Sequence, residues 1–185
     1  MRYFSFNDYE DYTNKTLELL FTNGMIRKIT PETKYDGIIK FAIYSLNKEG
    51  YPSNLDQKIV YFCDVLKDAH KLDTFRLAIN YPYIDTRIES YPTAMVYDEF
   101  KKFKTIPNKL TENNSDEVLL VLSNVFSLSS RYSYYILREN NYINKLIESL
   151  NFSDDEIKKF FTAIQKILNM YTERKIGDLN VRQEI

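Results

Sequence analysis

The chain has 185 residues, and its 25 Lys and Arg residues nearly balance its 26 Asp and Glu residues, which gives a formal net charge of −1. That balance argues against a general coat for nucleic acid or anionic membranes, because such binding needs a summed positive field. With only 4 glycines and 5 prolines, the chain is too poor in turn residues for a many-hairpin sandwich or barrel, or for a glycine-rich phosphate loop. The length predicts a single domain over residues 1–185.

Apolar side chains recur at helical spacing along most of the chain. Near the N-terminus, Gly24 predicts a break between two short helices, and Pro31 is placed at the first position of a third helix. A helical block is predicted from about residue 55 to residue 88. Within it we expect one helix through Leu66 and a second, shorter helix that begins at Asp73 or Thr74.

Residues 89–114 differ from the rest because they contain three clusters of turn residues. A short amphipathic helix, residues 95–103, is predicted between the first two clusters. So long a connection inside a compact domain is usually functional or mobile, and we interpret it as an inserted connection.

The C-terminal third has the clearest helical pattern. A helix beginning near Ser115 is followed by a short helix over residues 131–138, which the pair Asn140-Asn141 ends. Residues 153–156 predict a capping box, with Ser153 as the cap of a long last helix. The polar residues 172–185 predict a frayed tail.

Cys63 is the only cysteine, so no intrachain disulfide can form and a CxxC metal site is excluded. It lies in the apolar run 59–63, which predicts a buried, inert thiol. A single cysteine also favours a reducing compartment, and we expect a cytoplasmic protein, with the nucleus as a second location. No apolar run approaches the ~20 residues that a membrane-spanning helix needs, so no membrane partner is predicted.

The apolar positions of the last helices repeat with a shift of 42 residues. The pairs are Leu119 with Phe161, Leu122 with Ile164, and Val125 with Ile167. A unit of about 40–47 residues with a short helix between longer ones is typical of armadillo and HEAT repeats, whose stacked units share one core and curve into a superhelix. We therefore predict an all-α fold, specifically an armadillo/HEAT-like right-handed superhelix of stacked helices. The alternative is an unrelated helical bundle.

Residues 117–125, followed by Arg131 and Ile136 and then by residues 142–150, resemble an armadillo repeat. Such repeats turn sharply after their short helix, usually at a glycine. Here Asn140-Asn141 takes that place, and Asn tolerates the left-handed backbone conformation better than other non-glycine residues.

The chain also resembles the armadillo subunit of the CCR–NOT deadenylase complex, the "required for cell differentiation" family. The resemblance lies in the helix core 161–168, in the unit 121–150 before it, and in the His-containing turn and short helix at 69–78. It implies docking onto the NOT scaffold protein, capture of peptide motifs from RNA-regulating proteins, and a part in mRNA decay.

We predict a non-catalytic scaffold or adaptor for protein–protein interaction, with no cofactor and no bound metal. The only histidine, His70, lies in a polar turn with no suitable nucleophile in reach. The armadillo resemblance implies that third helices line a concave face, often with an Asn that holds a bound peptide backbone. Exposed tyrosines beside arginines would add a patch that anchors a peptide. The predicted partner-binding residues are Ser123, Asn124, Arg131, Tyr134, Lys166 and Asn169.

Two other functions remain open. One is a helical immunity- or phage-type protein that binds and blocks a single protein target. The other is an RNA-binding helical module, for which Lys101-Lys102-Phe103-Lys104 would supply a basic patch beside an aromatic ring. The same lysines also fit an ordinary solvated helix face.

Overall fold

A computed structural model of the chain describes residues 13–46, 48, 50–81 and 85–178. These residues are mostly helical, and the predicted all-α class is confirmed. Contacts within the chain group it into two compact units, Met1–Lys67 and Asp68–Ile185. The single domain over residues 1–185 stays a prediction.

Short helical segments open the described part of the N-terminal unit. A π-helix covers Glu18–Thr22, and a 3₁₀ helix covers Met25–Lys28. Gly24 separates them with a φ of 70°, a left-handed conformation that glycine adopts without a steric penalty. The predicted break at Gly24 is therefore confirmed.

The first regular α-helix, α1, covers Asp36–Tyr44 and follows a 3₁₀ turn at Thr33–Tyr35. The helix predicted to start at Pro31 thus starts later, at Asp36. Side chains of the N-terminal unit that are buried in the structure are few and mostly small, namely Ile26, Ala42, Ile43, Ser45 and Cys63.

Helix α2 runs without interruption over Gln57–Asn80. The prediction of two helices here is wrong, because no Gly or Pro occurs between residues 57 and 80 to end the first one. Asp73, which was expected to begin a new helix, instead makes a 2.6 Å ion pair with Arg76 on the helix surface. His70 consequently lies on an exposed helix face and not in a turn.

In the C-terminal unit, the segment 89–114 contains helix α3, Ala94–Lys101, and a 3₁₀ turn at Asn108–Leu110. The short helix predicted in this segment is confirmed. The interpretation of the segment as an inserted connection needs correction, because it supplies core side chains. Those that are 3% exposed or less are Val96, Phe100 and Ile106.

Helix α4 covers Asn114–Ser123 and packs against α3. The Asn113 side chain caps it by accepting a hydrogen bond from the Asp116 N–H at 2.9 Å, which satisfies one of the unpaired donors of the first turn. The 3₁₀ helix Asn124–Ser127 continues the chain.

Helices α5, Arg131–Glu139, and α6, Tyr142–Glu148, are separated by a single sharp turn. The Ser130 Oγ caps α5 by accepting from the Ser133 N–H at 3.0 Å. Asn141 has a φ of 55°, so the predicted left-handed turn at this pair of asparagines is confirmed.

The last helix, α7, covers Asp155–Asp178. Its cap is Asp154, whose Oδ1 accepts from the Glu156 N–H at 2.6 Å, so the predicted capping box is wrong in placing Ser153 as the cap. The predicted frayed tail is also wrong over residues 172–178. There the helix continues, and Thr172 and Ile176 are 2% and 5% exposed. Residues 179–185 lie outside the described part.

Two short strands, β1 (Arg87–Ile88) and β2 (Asn151–Phe152), pair in parallel with Ile88 opposite Phe152. They precede α3 and α7 in the chain and belong to the C-terminal unit. Ile88 is fully buried, and the two strands contact α4 and α7 respectively.

In two of the three pairs of the predicted 42-residue correspondence, both members are buried in the core of the C-terminal unit. Each member of the first two pairs, and Val125 of the third, is 1% exposed or less. The buried residues are Leu119, Leu122, Val125, Phe161 and Ile164. Ile167, however, is 40% exposed. The correspondence therefore fails at Ile167, since that side chain lies outside the buried face of α7.

Candidate functional site

Ser123, one of the six predicted partner-binding residues, belongs to the core. It is fully buried, its Oγ accepts from the Ile106 N–H at 3.0 Å, and it donates to the Leu120 carbonyl oxygen at 2.6 Å. The hydroxyl thus satisfies two buried backbone groups and holds the chain after α3 against α4. Its predicted role in binding a partner is wrong, because no partner can reach it.

Tyr134 is the second predicted binding residue that the structure places in the core. Its exposure is 2%, and its hydroxyl lies 3.1 Å and 3.2 Å from the carbonyl oxygens of Val125 and Leu128. Burial, reinforced by the neighbouring Tyr171, raises the pKa of the Tyr134 phenol, so the group stays protonated and available to donate. Its predicted binding role is wrong for the same reason as that of Ser123.

Arg131 is half-buried against the ring of Tyr135. The guanidinium carbon lies 5.1 Å from the ring centroid, and Nη2 donates to the Tyr135 hydroxyl at 2.6 Å. Arg138, two turns further along α5, lies 4.9 Å from the same ring. One tyrosine thus orients two cations through cation–π contacts.

Asn124, Lys166 and Asn169 lie at or near the surface. Asn124 begins the 3₁₀ helix after α4, and Lys166 is exposed on α7. Of the six predicted residues, Asn169 alone lines a surface pocket of about 190 Å³ in the C-terminal unit. The residues around that pocket are Leu137, Arg138, Asn141, Ile143, Asn144, Asn169, Thr172 and Glu173.

Four side-chain amides, which we call the amide cluster, meet beside this pocket; they are Asn141, Asn144, Gln165 and Asn169. Asn144 lies at the centre, and its Oδ1 accepts from Gln165 Nε2 at 2.9 Å and from Asn169 Nδ2 at 2.8 Å. Asn144 Nδ2 in turn donates to Asn141 Oδ1. The left-handed turn, α6 and α7 therefore bring their amides together through one residue.

The other side of the pocket carries an exposed ion pair between Arg138 and Glu173, with 3.4 Å between Nη1 and Oε2. Arg138 also pairs with its neighbour Glu139 at 3.0 Å. These carboxylates raise the pKa of the Arg138 guanidinium. Exposed pairs of this kind contribute little to stability, so both charges can exchange their partner for a ligand at small cost.

The sequence interpretation identified Asn169 but missed the three amides that surround it. The signal was present in their spacing: Asn141 and Asn144 are three residues apart at a helix start, and Gln165 and Asn169 are four apart on one helix face. Spacing alone does not show that α6 and α7 bring the two pairs together.

Two buried carboxylates serve the fold. Asp68, 2% exposed, accepts at 3.0 Å from the backbone N–H groups of Ser129 and Ser130 and from the Ser129 hydroxyl. Asp116, fully buried, accepts from the Thr93 N–H at 2.7 Å and from the Glu112 N–H at 3.0 Å. Both acids satisfy backbone donors ahead of helices.

The thiol of Cys63 is fully buried, as predicted, and burial raises its pKa. Within the described ranges, no three His, Cys, Asp or Glu side chains converge closely enough to hold a metal ion. Of the helices in the same ranges, none has the length and apolar character needed to cross a bilayer.

Comparison of the chain with protein-family models, with curated proteins and with solved structures finds no match.

Proposed function

We propose that this chain is a non-catalytic protein-binding module that captures an extended segment of a partner at the amide cluster. The observation that carries the proposal is the convergence of four amides from three elements beside a pocket of about 190 Å³. Side-chain amides are uncharged and both donate and accept. They suit the alternating N–H and C=O groups of a peptide backbone, which extended peptides present to their binding proteins.

The hydrogen bonds inside the cluster leave acceptors for such a backbone. Gln165 and Asn169 each donate one N–H to Asn144. Their carbonyl oxygens accept nothing from the residues that the structure describes. Arg138 and Glu173, on the far side of the pocket, offer one positive and one negative group to the side chains of a bound segment.

We further propose that α5, α6 and α7 form one armadillo-type unit. Two short helices separated by a left-handed turn at Asn141 are followed by a long third helix, and such a unit contains two or three consecutive helices. Both α5 and α6 pack on α7. The stacking of further units into a right-handed superhelix is part of the same proposal and rests on the sequence repeat.

Within this class of protein, the NOT scaffold of the deadenylase complex is the specific partner that the resemblance of residues 121–150 and 161–168 implies. A part in mRNA decay, in the cytoplasm or the nucleus, belongs to that proposal. It rests on the resemblance alone, whereas the protein-binding function rests on the amide cluster.

The test is affinity capture of partners with the wild-type chain, Asn169→Ala and Asn124→Ala, followed by measurement of the dissociation constant for each recovered partner. Asn124 is the matched control, because it is also a partly exposed Asn but does not line the pocket. We expect Asn169→Ala to weaken binding about threefold to tenfold, the value of one hydrogen bond. Asn124→Ala should bind as the wild type does.

Equal affinity of the wild type and Asn169→Ala for every partner would contradict the proposed site. Recovery of deadenylase subunits would support the specific partner. Recovery of one tightly bound enzyme or toxin that the chain inhibits would instead indicate a blocking protein, and affinity for RNA that falls steeply with salt would indicate a nucleic-acid binder.

A further inference from the structure

A second surface of the C-terminal unit is apolar and exposed, and it shares no residue with the amide cluster. We call it the aromatic surface; it consists of Phe103, Phe126, Ile167, Met170 and Tyr171. The Phe103 ring stacks on Tyr171 with 5.8 Å between centroids and an interplanar angle of 14°. Phe126 meets both rings edge to face, at 5.3 Å and 5.1 Å. Phe103 remains 51% exposed despite these contacts.

Helix α7 extends the aromatic surface beyond the rings. Ile167 lies four residues before Tyr171 and three before Met170, so these three side chains are neighbours on one helix face. Ile167 is 40% exposed and Met170 is 73% exposed. Ridges that combine aromatic rings with Met are common where a protein receives the apolar side chains of a partner.

The backbone at Phe103 adopts the left-handed conformation. Its φ is 56°, and its N–H donates to the Phe100 carbonyl oxygen at 3.0 Å just after α3. The residue in this position after a helix is usually Gly or Asn, because a larger side chain is strained in the left-handed conformation. Strain of this kind persists mainly at functional positions, and here it presents a half-exposed apolar ring.

Three lysines lie at the border of the aromatic surface. Lys104 follows Phe103, Lys166 lies one helical turn before Met170, and the Nζ of Lys175 lies 5.4 Å from the centroid of the Tyr171 ring. Within the described residues, none of these three lysines is paired with a carboxylate. Lys101 and Lys102 differ, since Asp98 and Glu99 on their own helix pair with them at 2.7 Å and 2.6 Å.

We infer that the aromatic surface docks an acidic segment of a partner protein that carries apolar anchor side chains. The lysine border complements acidic residues of that segment, and the rings with Ile167 and Met170 receive its anchors. Single-stranded RNA fits less well. Ile167 and Met170 offer no flat face for a base to stack on, and Asp98 and Glu99 neutralise the adjacent lysines. This docking surface is independent of the amide cluster.

The experiment selects binders to the full chain from a library of random dodecapeptides. The dissociation constants of the enriched peptides, and of an oligouridine, are then measured for the wild type and its variants. We expect peptides that combine Asp or Glu with Leu, Phe or Met, and affinity that falls as the salt concentration rises. Phe103→Ala and Met170→Asp should each weaken binding by at least about tenfold. Met170 is so exposed that its substitution leaves the core intact.

Two control variants show whether peptide binding depends on the aromatic surface. Tyr132→Ala removes a ring that is 73% exposed on α5, and Asn169→Ala disturbs the amide cluster; neither should change the affinity of the enriched peptides. Enrichment of no peptide, enrichment of basic peptides, or equal affinity for the wild type and Met170→Asp would overturn the inference. Tighter binding of the oligouridine than of any peptide would overturn it in favour of nucleic acid.

Discussion

The backbone strain at Phe103 can be measured by replacing one side chain with two others. Phe103→Gly and Phe103→Ala both lose the contacts with Tyr171 and Phe126, but only Ala keeps a Cβ in the left-handed conformation. A left-handed residue other than Gly costs about 1–2 kcal/mol, and the greater freedom of Gly in the unfolded chain offsets about 0.5–1 kcal/mol of that. We expect the Gly variant to be the more stable by about 0.5–1 kcal/mol in urea denaturation.

The opposite order, with the Ala variant more stable than the Gly variant, would show that Phe103 carries no strain. Tyr132→Gly and Tyr132→Ala form the matched pair, since Tyr132 lies within helix α5. There Gly should be the less stable by about 1 kcal/mol. The difference in stability between the Gly and Ala variants therefore has opposite signs at Phe103 and Tyr132 if the backbone at Phe103 is left-handed.

Single polar side chains satisfy buried backbone groups in the C-terminal unit. Two of them, Ser123 and Tyr134, were predicted to bind a partner. Ser123 lies four residues after the buried Leu119, so helical spacing places it on the buried face of α4. Its prediction as a binding residue followed the armadillo resemblance, which places third helices on a concave face, and not its spacing from Leu119. The buried bonds of Tyr134 involve the segment between α4 and α5, and no local pattern predicts them.

At the scale of elements, some signals confined to a few residues were predicted correctly, whereas the cap at Ser153 and the helix start at Pro31 were not. Asn141 in the left-handed turn and the short helix α3 each depend on local backbone preferences. The continuity of α2 was missed because polar residues at 68–73 looked like a helix boundary. One of them, Asp68, is polar because it binds backbone groups about sixty residues later in the chain.

Two substitutions at the end of α7 should change the stability of the chain in opposite directions. Ile176 is 5% exposed, so Ile176→Ala should lose about 2–3 kcal/mol. Gly177 lies next to it in the helix, and an added Cβ meets no atom within 4 Å. Gly177→Ala should therefore gain about 0.5–1 kcal/mol from helix propensity. The measurement is the midpoint of thermal or urea unfolding for each variant.

Both effects would vanish if residues 172–178 were frayed, as their polar composition suggested. The polarity of this stretch is real, but it lies on the outer face of the helix. Thr172 illustrates the inner face: its Oγ1 donates to the Leu168 carbonyl oxygen at 2.9 Å and leaves its methyl group to the core. Average composition hides a pattern in which one residue in four is buried.

At the scale of the whole molecule, the buried apolar side chains among the described residues are concentrated in the C-terminal unit. Its core cluster extends from Phe75 to Ile176 and draws on every helix from α3 to α7. The described segments of the N-terminal unit bury only a few small or medium side chains, and several of these segments are π- or 3₁₀-helical. Composition alone, which gives one average for all 185 residues, did not predict this difference.

The difference predicts unequal protection of backbone amides in hydrogen–deuterium exchange. Amides in the middle of α4 and α7 lie over fully buried side chains such as Leu122 and Leu168, so they should exchange only when the C-terminal unit unfolds. Amides between residues 25 and 44 belong to segments with few buried side chains. They should open locally, with protection from exchange lower by about a hundredfold or more. Equal protection in the two regions would contradict the argument. Equal protection would show that the short helices of the N-terminal unit are stabilised as strongly as the large core, although far fewer buried side chains support them.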